Sequence, residues 1–350
     1  MSVKERFVSL NIAISPTLPI TIITSSIKQP PVNSVLLGLI SHHRMQIMDL
    51  LFQHGAVLFR GFSCQDVEYF SAVIEACGLG QRCSTHDYKI PRSVFTNNIY
   101  TSSDFPGNVS IPMHHEKPRS KNPPNHIYFC CATAAEQGGE TLFSNAQVVW
   151  EHMIPSIKDK LLKHGIVYKQ YFHGASFIYR LLKYVLGRKQ ALLWTEYFST
   201  SETMEIEKQL TLEEVNWEWI HSNRDLLVFN KLPGALNHPL TQKPLWFNCA
   251  GYLNYYSILP YLSLTMRHTP QYLASRYLVS KDMLPLVCHY GNGEAFSVEE
   301  IATINRVLQQ HTAPLLWQQG DFMVVDNFTW MHGKSPHQGK RLLYSCMTKL

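Results

Sequence analysis

The chain has 350 residues, with 31 Lys+Arg against 26 Asp+Glu (net charge +5), and is 45% hydrophobic, 12% aromatic and 16% charged. That much apolar surface in a chain of this length supports a large core and excludes a disordered or low-complexity protein, while 18 Gly and 19 Pro exclude collagen-like and linker compositions. The excess of positive charge is mild, and its densest cluster (Lys117, Arg119, Lys121) is too short for a nucleic-acid stripe, so a small-molecule substrate is expected and nucleic acid is not.

Taken in chain order, Lys4, Glu5 and Arg6 precede a moderately apolar stretch to Ile27, broken by Pro16 and Pro19 and lacking a small-residue cleavage pattern. No apolar run reaches the ~18–20 residues that span a bilayer, so the expectation is a soluble cytoplasmic protein with no membrane partner. Val35–Gln53 has helical periodicity and ends at Gly55, a candidate left-handed cap. Ala56–Phe62 reads as a buried strand, and Ser63 with Asp66 opens a second amphipathic helix ending near Gly78. Residues 124–131 suggest a strand, and Asn145–His164 one or two helices interrupted at Pro155. Two capping boxes, Thr211-x-x-Glu214 and Ser297-x-x-Glu300, are each expected to open a helix. Phe322–Asp326 and Arg341–Met347 read as late strands. No repeat or Gly/Ser linker divides the chain, which predicts one domain over residues 1–350, with helices early and a β-rich core behind. Eight cysteines (Cys64, Cys77, Cys83, Cys130, Cys131, Cys249, Cys288 and Cys346) include no CxxC pair and read as reduced thiols.

Two segments combine histidine with carboxylate. In Ile111-Pro-Met-His-His-Glu116 an extended backbone puts His114 and Glu116 on one side, with His115 pointing away. The second segment, Phe322-Met-Val-Val-Asp326, ends shortly before His332. Two histidines and one carboxylate on one face of an ion leave open positions, as in non-heme Fe(II) oxygenases. With 17 His and 26 acidic residues, one H-x-[DE] triplet is expected by chance and one occurs, so the triplet alone carries little weight.

Its surroundings carry more. Gly138-Gly-Glu-Thr141, Trp194-Thr-Glu-Tyr-Phe198, His238-Pro-Leu-Thr241, Trp246-Phe-Asn248, Tyr290-Gly-Asn-Gly293, Trp317-Gln-Gln-Gly-Asp321, His332-Gly-Lys334 and Gly339-Lys-Arg341 follow the triplet in order. From about Gly55 to the C-terminus the chain resembles the taurine/α-ketoglutarate dioxygenase (TauD/TfdA) family, in its clavaminate-synthase-like and SyrP-like branch. The resemblance implies a mainly β fold with flanking helices (α+β) around a double-stranded β-helix, the cupin-like jelly roll. It implies Fe(II), 2-oxoglutarate and O2 as cofactor and co-substrates, with metal ligands and catalytic residues His114, Glu116 and His332. Thr141 and Arg341 match the positions that hold the distal carboxylate of 2-oxoglutarate.

It also implies O2-dependent hydroxylation of an aliphatic C–H in an amino-acid-like or other small carboxylate, in secondary metabolism; in this branch some substrates are tethered to a carrier protein. Desaturation or oxidative rearrangement on the same iron is the alternative within enzymes, and a non-catalytic jelly-roll ligand-binding protein the alternative outside them. Halogenases of this type have a small residue where Glu116 stands, which sets halogenation aside. Three departures are notable. Lys334 replaces the usual Arg of H-G-R, Lys117-Pro-Arg-Ser follows the triplet, and Ser345 stands where taurine dioxygenase has a sulfonate-binding arginine, so taurine is not the expected substrate. Lys117 or Arg119 is a candidate for a substrate carboxylate. Asp326 and Asn327 are expected to shape the turn presenting His332 or to bond its second ring nitrogen, and His238 to pack its loop. The insertion at about 165–245, with Trp194, Tyr197, Trp217, Trp219 and Phe229, reads as a lid or as core.

Overall fold

The computed structural model describes residues 11–15, 18–24, 34–83, 92–176, 179, 193–222, 224–254, 256–257 and 286–350. The chain folds as two compact units, one made of Met1–Glu151, Asn237–Phe247 and Leu308–Leu350, the other of His152–Leu236 and Asn248–Val307.

The first unit is built on two sheets. The larger runs in the order Asn11–Ile14, Thr21–Thr24, Ala56–Arg60, Phe322–Asp326, His126–Thr133, Leu342–Lys349, Gln81–Arg82, and Tyr100–Thr101 also pairs with Leu342–Lys349. Its pairs are antiparallel except Thr21–Thr24 with Ala56–Arg60. The central strands are continuous apolar runs because both faces are covered. The two-residue period deals alternate side chains to two cores. Val57, Phe59, Tyr128, Cys130, Phe322, Val324 and Cys346 pack with Leu39, Ile47, Leu51, Phe70 and Val73 of the early helices. Leu58, Ile127, Phe129, Cys131, Met323, Val325 and Leu343 pack with Phe143, Leu315 and Trp330 of the smaller sheet. The adjacent Cys130 and Cys131 thus serve opposite faces, and none of the eight cysteines forms a disulfide among the described residues. The smaller sheet runs Thr312–Leu315, Thr141–Asn145, Trp330–Lys334, Ile111–His114, all antiparallel.

The expected first helix is two, Ser34–His42 and Arg44–His54, and Gly55 closes the second at φ +69°. Asp66 rather than Ser63 caps Val67–Cys77, its carboxylate accepting the Tyr69 N–H at 2.7 Å, and Gly78 ends that helix in the left-handed region. Pro155 starts the helix Pro155–His164, following Ala146–His152, whose first turn is capped by the Asn145 side chain.

In the second unit, Asn216–Ile220, Asp225–Leu232, Ile166–Phe172 and Leu286–Tyr290 form a four-stranded sheet in that order. Phe172, Ile206, Leu210 and Leu226 make its core cluster, with Trp194, Tyr197, Trp217 and Trp219 packed against it. The Thr211 box does not open a helix. Thr211 lies in the last turn of Thr203–Leu212 with its hydroxyl donating back to Glu207 O, and Glu214 adopts φ +53° to turn the chain into a strand. The Ser297 box forms as expected, with reciprocal Ser297 N–H to Glu300 and Glu300 N–H to Ser297 bonds of 2.8 and 3.1 Å opening Val298–Gln310. Among the described residues no helix is long and apolar enough to cross a membrane.

Gly55 has a steric as well as a conformational role. A Cβ there would lie 2.5 Å from Thr329 Cγ2 and 2.7 Å from Trp330 Nε1, the latter donating to His54 O at 2.8 Å. Gly55→Ala should therefore cost about 2–4 kcal/mol, summing left-handed strain and overpacking. Gly38→Ala, mid-helix with nothing within 4 Å of the new methyl, should be neutral or stabilise by up to about 1 kcal/mol. Urea midpoints of the two variants test the contrast.

Candidate active site

The smaller sheet brings the two sequence segments together. His332 is the cross-strand partner of His114, with ring centroids 4.4 Å apart, and Glu116 follows just beyond the strand Ile111–His114. Ligand atoms of His114, Glu116 and His332 all lie within 4.8 Å of one another, with His332 Nε2 3.6 Å from Glu116 Oε1. His114 Nδ1 donates to Pro112 O at 2.8 Å, which fixes the tautomer with the lone pair on Nε2.

The protonation states suit a cation. Burial, then the neighbouring His332, lowers His114 to about 3, so the ring is neutral. Glu116 is well below the usual carboxylate range. Burial opposes this, but the Arg92 guanidinium, 2.7 Å away in an ion pair whose side chains are only 9% and 10% exposed, outweighs it together with His332. The neutral His114 ring, the ionised Glu116 carboxylate and the His332 ring converging on one point fit a divalent transition metal. The His332 Nδ1 atom is buried and lacks a hydrogen-bond partner among the described residues, so neither Asp326 nor Asn327 bonds it.

Those two residues act on the backbone. Asn327 accepts the Glu116 N–H through Oδ1 at 2.9 Å and donates from Nδ2 to Glu116 O at 3.0 Å and Pro124 O at 2.9 Å. Asp326 accepts the Phe328 and Thr329 N–H groups and the Thr329 hydroxyl, and pairs with His238 Nε2 at 2.8 Å. His238 Nδ1 accepts from Leu240 N and Thr241 N, which makes this histidine the organiser of its own loop. His115 points away from the other two, stacked on Phe247 at 4.2 Å, with Nδ1 2.6 Å from Asn327 O and Nε2 2.9 Å from Trp246 O.

A cavity opens beside the histidines, lined by Arg92, Phe105, His114, Phe129, His332 and Lys334 together with Thr141 and Arg341. Arg341 donates to Gly139 O at 2.9 Å and to the Thr141 hydroxyl at 3.4 Å, and the Trp317 indole also donates to that hydroxyl at 2.7 Å. With both lone pairs engaged, the Thr141 O–H is left to donate. Burial lowers Arg341 to about 10 against the opposing pull of Cys131 and Glu140, and burial with the neighbouring Arg341 charge lowers Lys334 to about 8. Neither has a carboxylate within ion-pair distance among the described residues, so this end of the cavity is built for an anion. Lys117 and Arg119 do not line it. Arg92 and Trp317 are contributors that sequence reading does not single out. Each is an isolated residue without local pattern, and only the Trp317-Gln-Gln-Gly-Asp321 stretch offers a signal.

A model of the family described as taurine catabolism dioxygenase TauD, TfdA family matches residues 32–347. The dapdiamide synthesis protein DdaC of Enterobacter agglomerans is 27% identical over 301 residues, covering 86% of this chain and 83% of its own. A clavaminate synthase-like protein of Arabidopsis thaliana is 23% identical over 311 residues, with the same coverage of 86% and 83%. Among solved structures, the PvcB protein of Pseudomonas aeruginosa aligns with TM-score 0.50 at 14% identity, covering 99% of this chain and 93% of that one, a likeness of fold.

His115 gives a pH test in metal-free protein. Burial, outweighing its two carbonyl contacts, lowers it from 6.5 to about 4. A lowered histidine favours folding only while the unfolded chain is also neutral, so its contribution is full above pH 6.5 and falls between 6.5 and about 4 as the unfolded state takes up the proton. The stability difference between wild type and His115→Gln should shrink by ~1.4 kcal/mol from pH 7.5 to 5.5. A difference in urea titrations that instead grows in favour of wild type as pH falls would show that the native ring is already charged, and a pH-independent one that burial does not shift it.

Proposed function

Because the chain belongs to the TauD/TfdA family of dioxygenases, we propose that it hydroxylates an aliphatic C–H bond of an amino-acid-like or other small carboxylate substrate. As a member of that family it is an oxidoreductase that uses Fe(II), 2-oxoglutarate and O2. In this reading His114, Glu116 and His332 hold the iron, Thr141 and Arg341 hold the distal carboxylate of 2-oxoglutarate, and the two facing sheets are the halves of a double-stranded β-helix. The observation that carries it is the convergence of the three ligand atoms within 4.8 Å, two of them on histidines lining a cavity that Lys334 and Arg341 also line without an ion-paired carboxylate.

When bound, the iron supplies O2 activation coupled to oxidative decarboxylation of 2-oxoglutarate and removal of a substrate hydrogen. The chain's own residues set the conditions. Arg92 occupies Glu116 Oε1, which fixes the orientation of the carboxylate and favours its use as a one-oxygen ligand. Glu116 fills a position that a halide would need, which favours hydroxylation. Phe105, Ile111, Phe129 and Leu343 give the cavity apolar walls that exclude water and hold a substrate C–H near the metal. The similarity to DdaC, a protein named for dapdiamide synthesis, supports a place in secondary metabolism.

Anaerobic addition of Fe(II) and 2-oxoglutarate should produce the weak visible charge-transfer band of the chelate. His114→Ala and His332→Ala should each lose iron and the band, while His115→Gln keeps both. Arg341→Ala should raise the 2-oxoglutarate needed for half-saturation about 10- to 100-fold. No band in well-folded wild type would overturn the reading, as would equal iron loss in all three histidine variants.

A further inference from the structure

Lys334 ends the strand Trp330–Lys334, two residues beyond His332, so both side chains leave the same face of the sheet. Pairing places Lys334 opposite Thr141 on one side and Ile111 on the other, as it places His332 opposite Phe143 and His114. The inner face of the sheet therefore carries one row with the imidazoles and a neighbouring row with the lysine and the threonine hydroxyl. At ~3.3 Å per residue the rows are ~6.6 Å apart, within reach of a short dicarboxylate that touches both.

Lys334 is 4% exposed, yet its ammonium has only a long 3.4 Å contact with Pro106 O. Arg341 touches a carbonyl and a hydroxyl. No carboxylate forms an ion pair with either among the described residues, in contrast to Arg92, which Glu116 balances. A buried cation without a carboxylate partner is costly to keep, and the half-buried Arg341 beside it, which feels Glu140 only beyond ion-pair distance, adds to the cost. The cavity thus holds two cations without an ion-paired carboxylate and one hydroxyl with its proton left to donate.

We propose that Lys334 is a second cationic anchor for the distal carboxylate of 2-oxoglutarate, which is clamped between the Lys334 ammonium, the Arg341 guanidinium and the Thr141 hydroxyl. This rests on the reading of 2-oxoglutarate as co-substrate of this cavity. The guanidinium meets the carboxylate as a planar fork and the ammonium as a compact point charge. The clamp rewards a 2-oxo acid that carries a second carboxylate and leaves the 2-oxo-acid end to the metal. Lys334 is a binding and specificity residue, separate from the ligands of the iron.

The test is anaerobic titration of the Fe(II)-loaded protein with 2-oxoglutarate and with 2-oxobutanoate, which lacks the distal carboxylate, followed by calorimetry and by the charge-transfer band. Lys334→Met should weaken 2-oxoglutarate about 10- to 100-fold and leave 2-oxobutanoate within about twofold, and Lys334→Arg should restore most of the loss. Unchanged 2-oxoglutarate affinity in Lys334→Met would overturn the proposal. So would equal weakening of both acids, which would mark a structural role. Thermal melts and iron content of the variants identify any that fail to fold, and there Lys334→Gln takes the place of the methionine. A wild type that binds neither acid would instead sink the co-substrate reading itself, and the clamp with it.

Discussion

The geometry of the site hangs on one side-chain amide. Asn327, fully buried, bonds both the N–H and the C=O of Glu116 and also the Pro124 carbonyl, and so ties together segments 211 and 203 residues apart in sequence. An asparagine is suited to this because its amide presents a donor and an acceptor in the arrangement of a backbone peptide, which lets one side chain stand in for a missing strand partner. The Asn327 backbone adds a carbonyl for the His115 ring. Where the sheet pairing of His114 with His332 ends, this clamp takes over. It carries Glu116 back toward the imidazoles and turns His115 out against Phe247. The proposed iron site needs such over-determination, because a shift of ~1 Å at one ligand would destroy a shared coordination point.

Charge is organised around that frame in two ways. Glu116 is kept ionised by a guanidinium at 2.7 Å, a balanced pair that costs little once formed and holds one carboxylate oxygen. At the other end Arg341 and Lys334 are left unbalanced, and the positive potential they create is the physical basis for drawing in an anion. Apolar side chains that line the same cavity, Phe129 and Leu343 from the larger sheet and Ile111 from the smaller, lower the local dielectric around both arrangements. The same two-residue alternation that builds the hydrophobic core also places the chemistry. The row after Phe143 and His332 carries Thr141 and Lys334 on the same face.

Much of the fold was legible where local chemistry is unambiguous. Gly55 and Gly78 end helices in the left-handed region, Pro155 starts one, and the reciprocal Ser297–Glu300 box opens one, each through bonds within four residues. The Thr211 box had the same letters but lies at a helix end, because the preceding turns had already buried Ile206 and Leu210 and the next residues were taken by a sheet. A capping motif specifies hydrogen bonds that are possible, and packing decides whether a helix is there to receive them. Likewise Asp326 and Asn327 announce a turn, but which polar atoms they satisfy depends on a segment more than two hundred residues away.

The sequence by itself determined the His114-x-Glu116 spacing, which suits two ligands on one side of an extended segment, and the order of landmarks was enough to indicate the family; the strand ends at His114, so the final placement of Glu116 rests on Asn327. Tertiary structure alone decided that His332 meets them, that Arg92 neutralises Glu116, that Trp317 and Arg341 occupy the Thr141 hydroxyl, and that Lys334 is buried without a counter-charge. Each of these depends on strand register and sheet pairing between distant segments. A one-residue slip would turn every such side chain to the opposite face, and no local pattern encodes which register is chosen.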